Sequence, residues 1–163
     1  MKRIFLPVFI GLCLASCDFS NYILKTDYDF TTTFEKSEGK QTATYSEVIE
    51  FYYNLSSVYS TVKVEEFGET DSGLPLHLAI FSPNGSFDLE SLRTDHTILF
   101  INNGIHPGEP DGIDASMMLF RDLAQDSIAV PENTVIVSIP IYNIGGALNR
   151  NSFSRANQNG PES

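Results

Sequence analysis

Residues 97–125 carry the feature that most restricts the fold of this chain. Thr97-Ile-Leu-Phe-Ile-Asn102 is a short apolar run of strand length, bounded by turn residues as a buried strand would be. It runs into Asn103-Gly-Ile-His106-Pro-Gly-Glu109-Pro-Asp-Gly112. Beyond that loop Ile113, Met117, Leu119, Phe120 and Leu123 recur at helical spacing to about Gln125. A central strand, a glycine-bearing loop and a helix beginning at Asp111 or Gly112 are therefore expected. In open α/β sheets ligands collect outside the carboxyl ends of strands. There this loop presents an imidazole and a carboxylate spaced His-x-x-Glu, two ligands for one Zn²⁺ with room for a third and for water. Glycines at 104 and 108 permit tight or left-handed backbone, while Pro107 and Pro110 stiffen it.

The rest of the chain fits a mixed, mostly parallel sheet covered by helices, an α/β fold. Ser46 is taken as the N-cap of a helix carrying Val48, Ile49, Tyr52, Tyr53 and Leu55 on to about Tyr59. Val62, Val64 and Phe67 alternate with polar residues as in a half-buried strand. A turn at 69–73 and a second strand at 74–81 complete a hairpin. Residues 82–91 read as loop, 134–139 as another buried strand, and 140–163 as loop again. Residues 22–34 are expected to form an edge segment, and 36–44 a polar loop.

The first sixteen residues stand apart. Lys2 and Arg3 precede an apolar stretch at 4–14 that is too short to span a bilayer. Leu14-Ala-Ser-Cys17 then resembles a bacterial lipoprotein signal, which implies cleavage before an acylated Cys17 and a membrane-anchored protein facing the periplasm or exterior; an ordinary secretory signal is the alternative. Cys13 would leave with the signal, so no cysteine would remain for a disulfide or a thiolate metal site. Losing Lys2 and Arg3 but no acid takes the net charge from −11 to −13. Such acidity argues against nucleic acid as a partner. The division expected is a signal at 1–16, a lipidated tether and edge segment at 17–44, and a catalytic domain from 45 to 163.

Third ligands for the metal are scarce. His96 precedes the 97–102 strand, so roughly 20 Å of extended chain separates it from His106. His77 lies mid-strand and reads as a partly exposed sheet residue. Asp111 and Asp114 are near in sequence, Asp111 better suited to orienting a ligand or to charging the first helical turn.

The His106-Pro-Gly-Glu109 loop after a buried strand resembles the zinc-binding loop of the zinc carboxypeptidase family. The lead-in helix and the segment Val64-Glu-Glu-Phe-Gly-Glu-Thr-Asp-Ser-Gly-Leu-Pro-Leu76 resemble that family's entry hairpin. Ser154-Arg155-Ala-Asn157 is similar to the family segment whose arginine polarises the scissile carbonyl, a role that falls on Arg155. Asn149-Arg150 imitates the family's clamp for a terminal carboxylate but precedes Arg155, and reads as a look-alike. Arg150, Arg155 and Asn157 are thus the candidates for substrate contact. Where many members read Asn-Pro-Asp-Gly, this chain has Asn143-Ile-Gly-Gly146.

The resemblance implies a Zn²⁺-dependent hydrolase acting on a peptide or a peptidoglycan stem. Its third ligand, general base and true clamp would lie beyond Ser163, so the chain reads as the N-terminal part of an enzyme, inactive and poorly soluble alone. A same-scaffold amidase or deacylase is a second reading, and a non-catalytic surface lipoprotein binding peptide or glycan is a third. A phosphate cradle is disfavoured, because no phosphate-loop lysine or G-x-G-x-x-G is present.

Overall fold

The computed structural model describes residues 28–129, 132–151 and 154. Five helices and four strands follow in the order α1 (Thr33–Lys36), α2 (Tyr45–Val58), β1 (Val62–Glu69), β2 (Pro75–Phe81), α3 (Leu89–Leu92), β3 (Thr97–Asn102), α4 (Asp111–Ala124), β4 (Thr134–Ile139) and α5 (Ile144–Leu148). The strands form one sheet in the order β1-β2-β4-β3. β1 and β2 make the expected hairpin, with Val62 opposite Phe81 and Glu66 opposite His77. β2 pairs antiparallel with β4, and β4 pairs parallel with β3 from Thr97–Thr134 to Asn102–Ile139. The sheet is mixed as expected, but parallel pairing is confined to β3–β4 among the described residues.

Several expectations need correction. The described part of the 22–34 segment has no strand: residues 28–32 are irregular and lead into α1, whose capping box joins Thr32 and Glu35. The cap of α2 is Thr44, not Ser46. Its hydroxyl accepts from the Glu47 amide while Glu47 reaches back to the Thr44 N–H, which satisfies two end donors reciprocally. Asp88 caps the short α3, which begins inside the expected 82–91 loop and ends at Leu92, and α5 lies inside the expected 140–163 loop. Both helices are about one turn long, too short to leave a periodic pattern.

β3 is also not central. It is an edge strand among the described residues, with Leu99 47% and Phe100 56% exposed. Its apolar composition matches a strand buried on both faces, yet here only β4 flanks it.

The main core lies on the face covered by α2 and α4. Val48, Phe51, Tyr52 and Leu55 from α2 meet Ile113, Met117, Phe120 and Leu123 from α4 over Ala79, Phe81 and Ile136. The rings of Phe51, Tyr52 and Phe120 follow one another edge to face at centroid distances of 5.6 and 5.4 Å, a favoured arrangement of ring quadrupoles. The opposite face is thinner, with Ile80, Val135 and Val137 packed against Leu92 of α3. The N-terminal segment is tied to α4 by Arg121, which pairs with Glu35 at 2.6 Å and donates to the Phe30 carbonyl at 3.2 Å. No described helix is long and apolar enough to cross a membrane.

Candidate metal centre

Tight backbone geometry at the end of β3 brings the two predicted ligands together. His106-Pro107-Gly108-Glu109 closes a turn in which the Glu109 N–H donates to the His106 carbonyl at 3.4 Å. Proline stands second and Gly108 third with φ +79°, the residue types that a type II turn requires at those positions. Residues at the two ends of such a turn are held close. His106 Nδ1 lies 2.8 Å from Glu109 Oε2. Gly104, at φ +60°, makes the preceding bend. A side chain there would press on Ile113 and Ile141 at 3.2 and 3.4 Å.

The base of the loop is clamped from two sides. Past the ends of the parallel strands, Tyr142 N–H donates to the Asn103 carbonyl at 2.8 Å and Asn143 N–H to the Gly104 carbonyl at 2.9 Å. Asn103 itself is buried, and its amide donates to Ser116 of α4 at 2.8 Å and Ser138 of β4 at 3.2 Å. Its carbonyl oxygen faces α4 so closely that a Cβ on Gly112 would lie 2.7 Å from it. Strand, loop and helix are thereby locked through one amide. Sequence reasoning passed over Asn103, although two serines among otherwise apolar positions were a signal that a buried polar group needed partners.

An open cleft of about 400 Å³ sits above this base, lined by Asn103, Gly104, His106, Glu109, Asp111 and Gly112 among others. The His106 side chain is 55% exposed and that of Glu109 28%, so both reach the cleft. A tetrahedral Zn²⁺ holds nitrogen and oxygen ligands roughly 3.3–3.6 Å apart, given bond lengths near 2.0–2.2 Å. The two donors now hydrogen-bond each other at 2.8 Å; parting them by roughly 0.5–0.8 Å would admit the ion, and an imidazole nitrogen with a carboxylate oxygen fits it in chemistry.

The other candidates are placed elsewhere. Asp114 is buried and turned away, accepting from the Thr42 hydroxyl and the Ala43 N–H. Burial raises its carboxyl above the usual range, against the lowering effect of those hydrogen bonds. It anchors the 42–43 segment and does not reach the cleft. His96 pairs with Asp95 through Nδ1 at 2.7 Å, before β3 begins. His77 is buried, not partly exposed: Tyr53 of α2 stacks edge-on over its ring at 5.8 Å. Among the described residues no group of three or more His, Cys, Asp or Glu converges on a metal position. Arg150 donates to the Thr42 carbonyl at 3.3 Å, on the Asp114 side of the loop. Cys17, Arg155 and Asn157 lie outside the described residues.

The unusual Asn143-Ile-Gly-Gly146 segment has a local explanation. Asn143 caps α5 by accepting from the Gly146 N–H at 2.8 Å. A Cβ on Gly146 would sit 2.8 Å from that same oxygen, so glycine fits the cap.

No protein-family model and no curated protein matches the sequence. Solved structures do match the fold. Bovine thrombin-activatable fibrinolysis inhibitor, in complex with tick carboxypeptidase inhibitor, aligns with a TM-score of 0.55 at 14% identity, over 67% of this chain and 33% of its own. Carboxypeptidase A from Helicoverpa armigera gives 0.56 at 18% identity, over 64% and 25%. A metallo-carboxypeptidase from Burkholderia cenocepacia gives 0.52 at 19%, over 64% and 27%. The chain thus spans between a quarter and a third of the length of these structures. The strand, turn and helix around His106 and Glu109 belong to a mixed α/β sheet whose fold is that of part of a metallocarboxypeptidase.

Proposed function

We propose that this chain supplies the metal-binding loop of a zinc-dependent hydrolase that removes the C-terminal residue of a peptide. The observation that carries the reading is the convergence of His106 Nδ1 and Glu109 Oε2, 2.8 Å apart at the carboxyl end of β3. The fold shared with carboxypeptidases supports it. His106 and Glu109 would hold the ion, which when bound lowers the pKa of its water to about 7 and polarises a carbonyl. The chain's own contribution is positional. The type II turn fixes the two donors, and Asn103 with Ser116 and Ser138 keeps the turn seated on α4 and β4. Arg155 is proposed to stabilise the developing oxyanion, a role whose loss typically costs about 10²–10³ in rate, and Asn157 to contact substrate, while Arg150 braces the Thr42 carbonyl.

Two ligands without a third give weak zinc binding. Titration of the 163-residue protein with Zn²⁺ is expected to show one weak site, abolished by His106→Ala and by Glu109→Ala, with no turnover of an N-acylated dipeptide. A zinc site indifferent to both substitutions would overturn the reading.

A further inference from the structure

Thr42 is a buried junction between two charged groups far apart in the chain. Its hydroxyl donates to the Asp114 carboxylate, and its carbonyl accepts from the Arg150 guanidinium at 3.3 Å. The Ala43 N–H also donates to Asp114, at 3.4 Å. We infer that Asp114 is a positioning residue whose negative charge, acting across Thr42, holds Arg150 in place and with it the 151–154 turn that precedes Arg155. The inference rests on the hydrolase reading, in which Arg155 serves the oxyanion, and adds the residue that seats the segment before it.

Asp114 is only 3% exposed and Thr42 2%. A carboxylate taken so far from water is costly unless it is hydrogen-bonded and faces an opposite charge. Residues 42 and 43 supply the hydrogen bonds, and Arg150 supplies the charge. Burial raises the Asp114 carboxyl; those hydrogen bonds and the Arg150 charge oppose the rise, while Asp111 on the same helix adds to it. From α2 the Glu47 carboxylate, lowered chiefly by its bond to the Thr44 amide, also feels Arg150. Arg150 thus lies in a field made by α2 and α4 together. Asp114 is the carboxylate in that field most shielded from water, where screening by salt is weakest.

The chain turns directly after Arg150. Asn151 N–H donates to Ser154 Oγ at 2.6 Å, and Ser154 N–H to the Asn151 carbonyl at 2.9 Å. One turn with two such bonds offsets little of the entropy of ordering its residues, so its direction depends on what fixes its first end. That end is fixed by a link spanning 108 residues, from Arg150 to Thr42. The same helix is the reference for the metal turn, because Asn103 is held by Ser116, two residues past Asp114. Helix α4 therefore carries both the seat of His106 and Glu109 and the charge that draws in Arg150.

The test is hydrogen exchange of the Asn151 and Ser154 amides in the full 163-residue protein, taken relative to the amides of α4, with Zn²⁺-induced NMR shifts at His106 followed in parallel. Asp114→Asn keeps a hydrogen-bonding side chain of the same shape and removes the charge. Relative exchange is expected to rise at least about threefold in Asp114→Asn and in Arg150→Met, and to stay near the original rate in Arg150→Lys. The double variant D114N/R150M should exchange no faster than either single one, since both remove one interaction. Unchanged rates in Asp114→Asn, effects that multiply in the double variant, or equal rates in Arg150→Met and Arg150→Lys would overturn the inference and leave Asp114 as a neutral anchor for residues 42–43. Zinc shifts at His106 should persist in all these variants. Their absence from the unsubstituted protein would overturn the hydrolase reading instead, with the coupling of Asp114 to Arg150 still read independently by exchange.

Discussion

Gly112→Ala tests how the metal loop is seated. Residue 112 is in the first turn of α4, where alanine normally stabilises a helix by up to about 1 kcal/mol relative to glycine. Here the added Cβ would lie 2.7 Å from Asn103 Oδ1. Relief of that contact needs a displacement of roughly 0.7 Å, since a gap of this size changes a van der Waals contact from repulsive to favourable. Asn103 cannot give freely, because its amide is held by Ser116 at 2.8 Å and Ser138 at 3.2 Å. Overpacking costs about 1–3 kcal/mol, and losing the longer of the two hydrogen bonds adds about 1. After the helix gain, a net loss of about 1–3 kcal/mol is expected, or roughly 3–10 °C in melting temperature for a domain of this size. Gly145→Ala in α5 is the control, since its Cβ would meet only Ser72 at 3.9 Å; it should be neutral or slightly stabilising. Urea unfolding of the two variants side by side decides the matter. Equal stability would refute the locked Asn103.

Two further outcomes follow from other parts of the molecule. His77 is buried, and desolvation lowers its pKa below the ordinary 6.5. Below that pH the unfolded chain takes up a proton that the folded ring resists, so stability is full above about pH 6.5 and falls as the pH drops through the folded value. His77→Phe should flatten this fall between pH 7 and 5. Asp114 acts in the opposite sense but is common to both proteins and cancels in the comparison, and a slope unchanged by the substitution would contradict the assignment. Phe100, 56% exposed on the edge strand β3, should promote self-association through an open strand edge. Phe100→Lys is expected to raise the monomer fraction in sedimentation at equal concentration, and an unchanged distribution would exclude β3 as the sticky edge.

The parts of the fold legible from sequence were those written in periodicity. The α2 and α4 faces, the β1–β2 hairpin and β4 follow from apolar spacing, and all are present. The turn that brings His106 and Glu109 together was legible because Pro107 fixes its own φ and Gly108 admits the left-handed φ the next position needs. What escaped had a different physical origin. Both Thr44 and Ser46 are good caps, and the choice of Thr44 depends on Glu47 standing three residues after it. The burial of His77 depends on Tyr53, brought from another element. Composition shows that β3 is apolar but cannot show how many neighbours it has. Asp114 looked like a spare ligand only because sequence proximity to the loop says nothing about direction; Thr42 and Ala43, over seventy residues earlier, turn it inward.

The most direct test of the central claim is X-ray absorption at the zinc edge of the loaded protein. One imidazole nitrogen and carboxylate or water oxygens at about 2.0–2.2 Å are expected. The nitrogen contribution should vanish in His106→Ala and persist in His96→Ala, which removes the histidine paired with Asp95 before β3. An imidazole signal that survives His106→Ala but is lost with His96→Ala would place the metal before β3 and contradict the account.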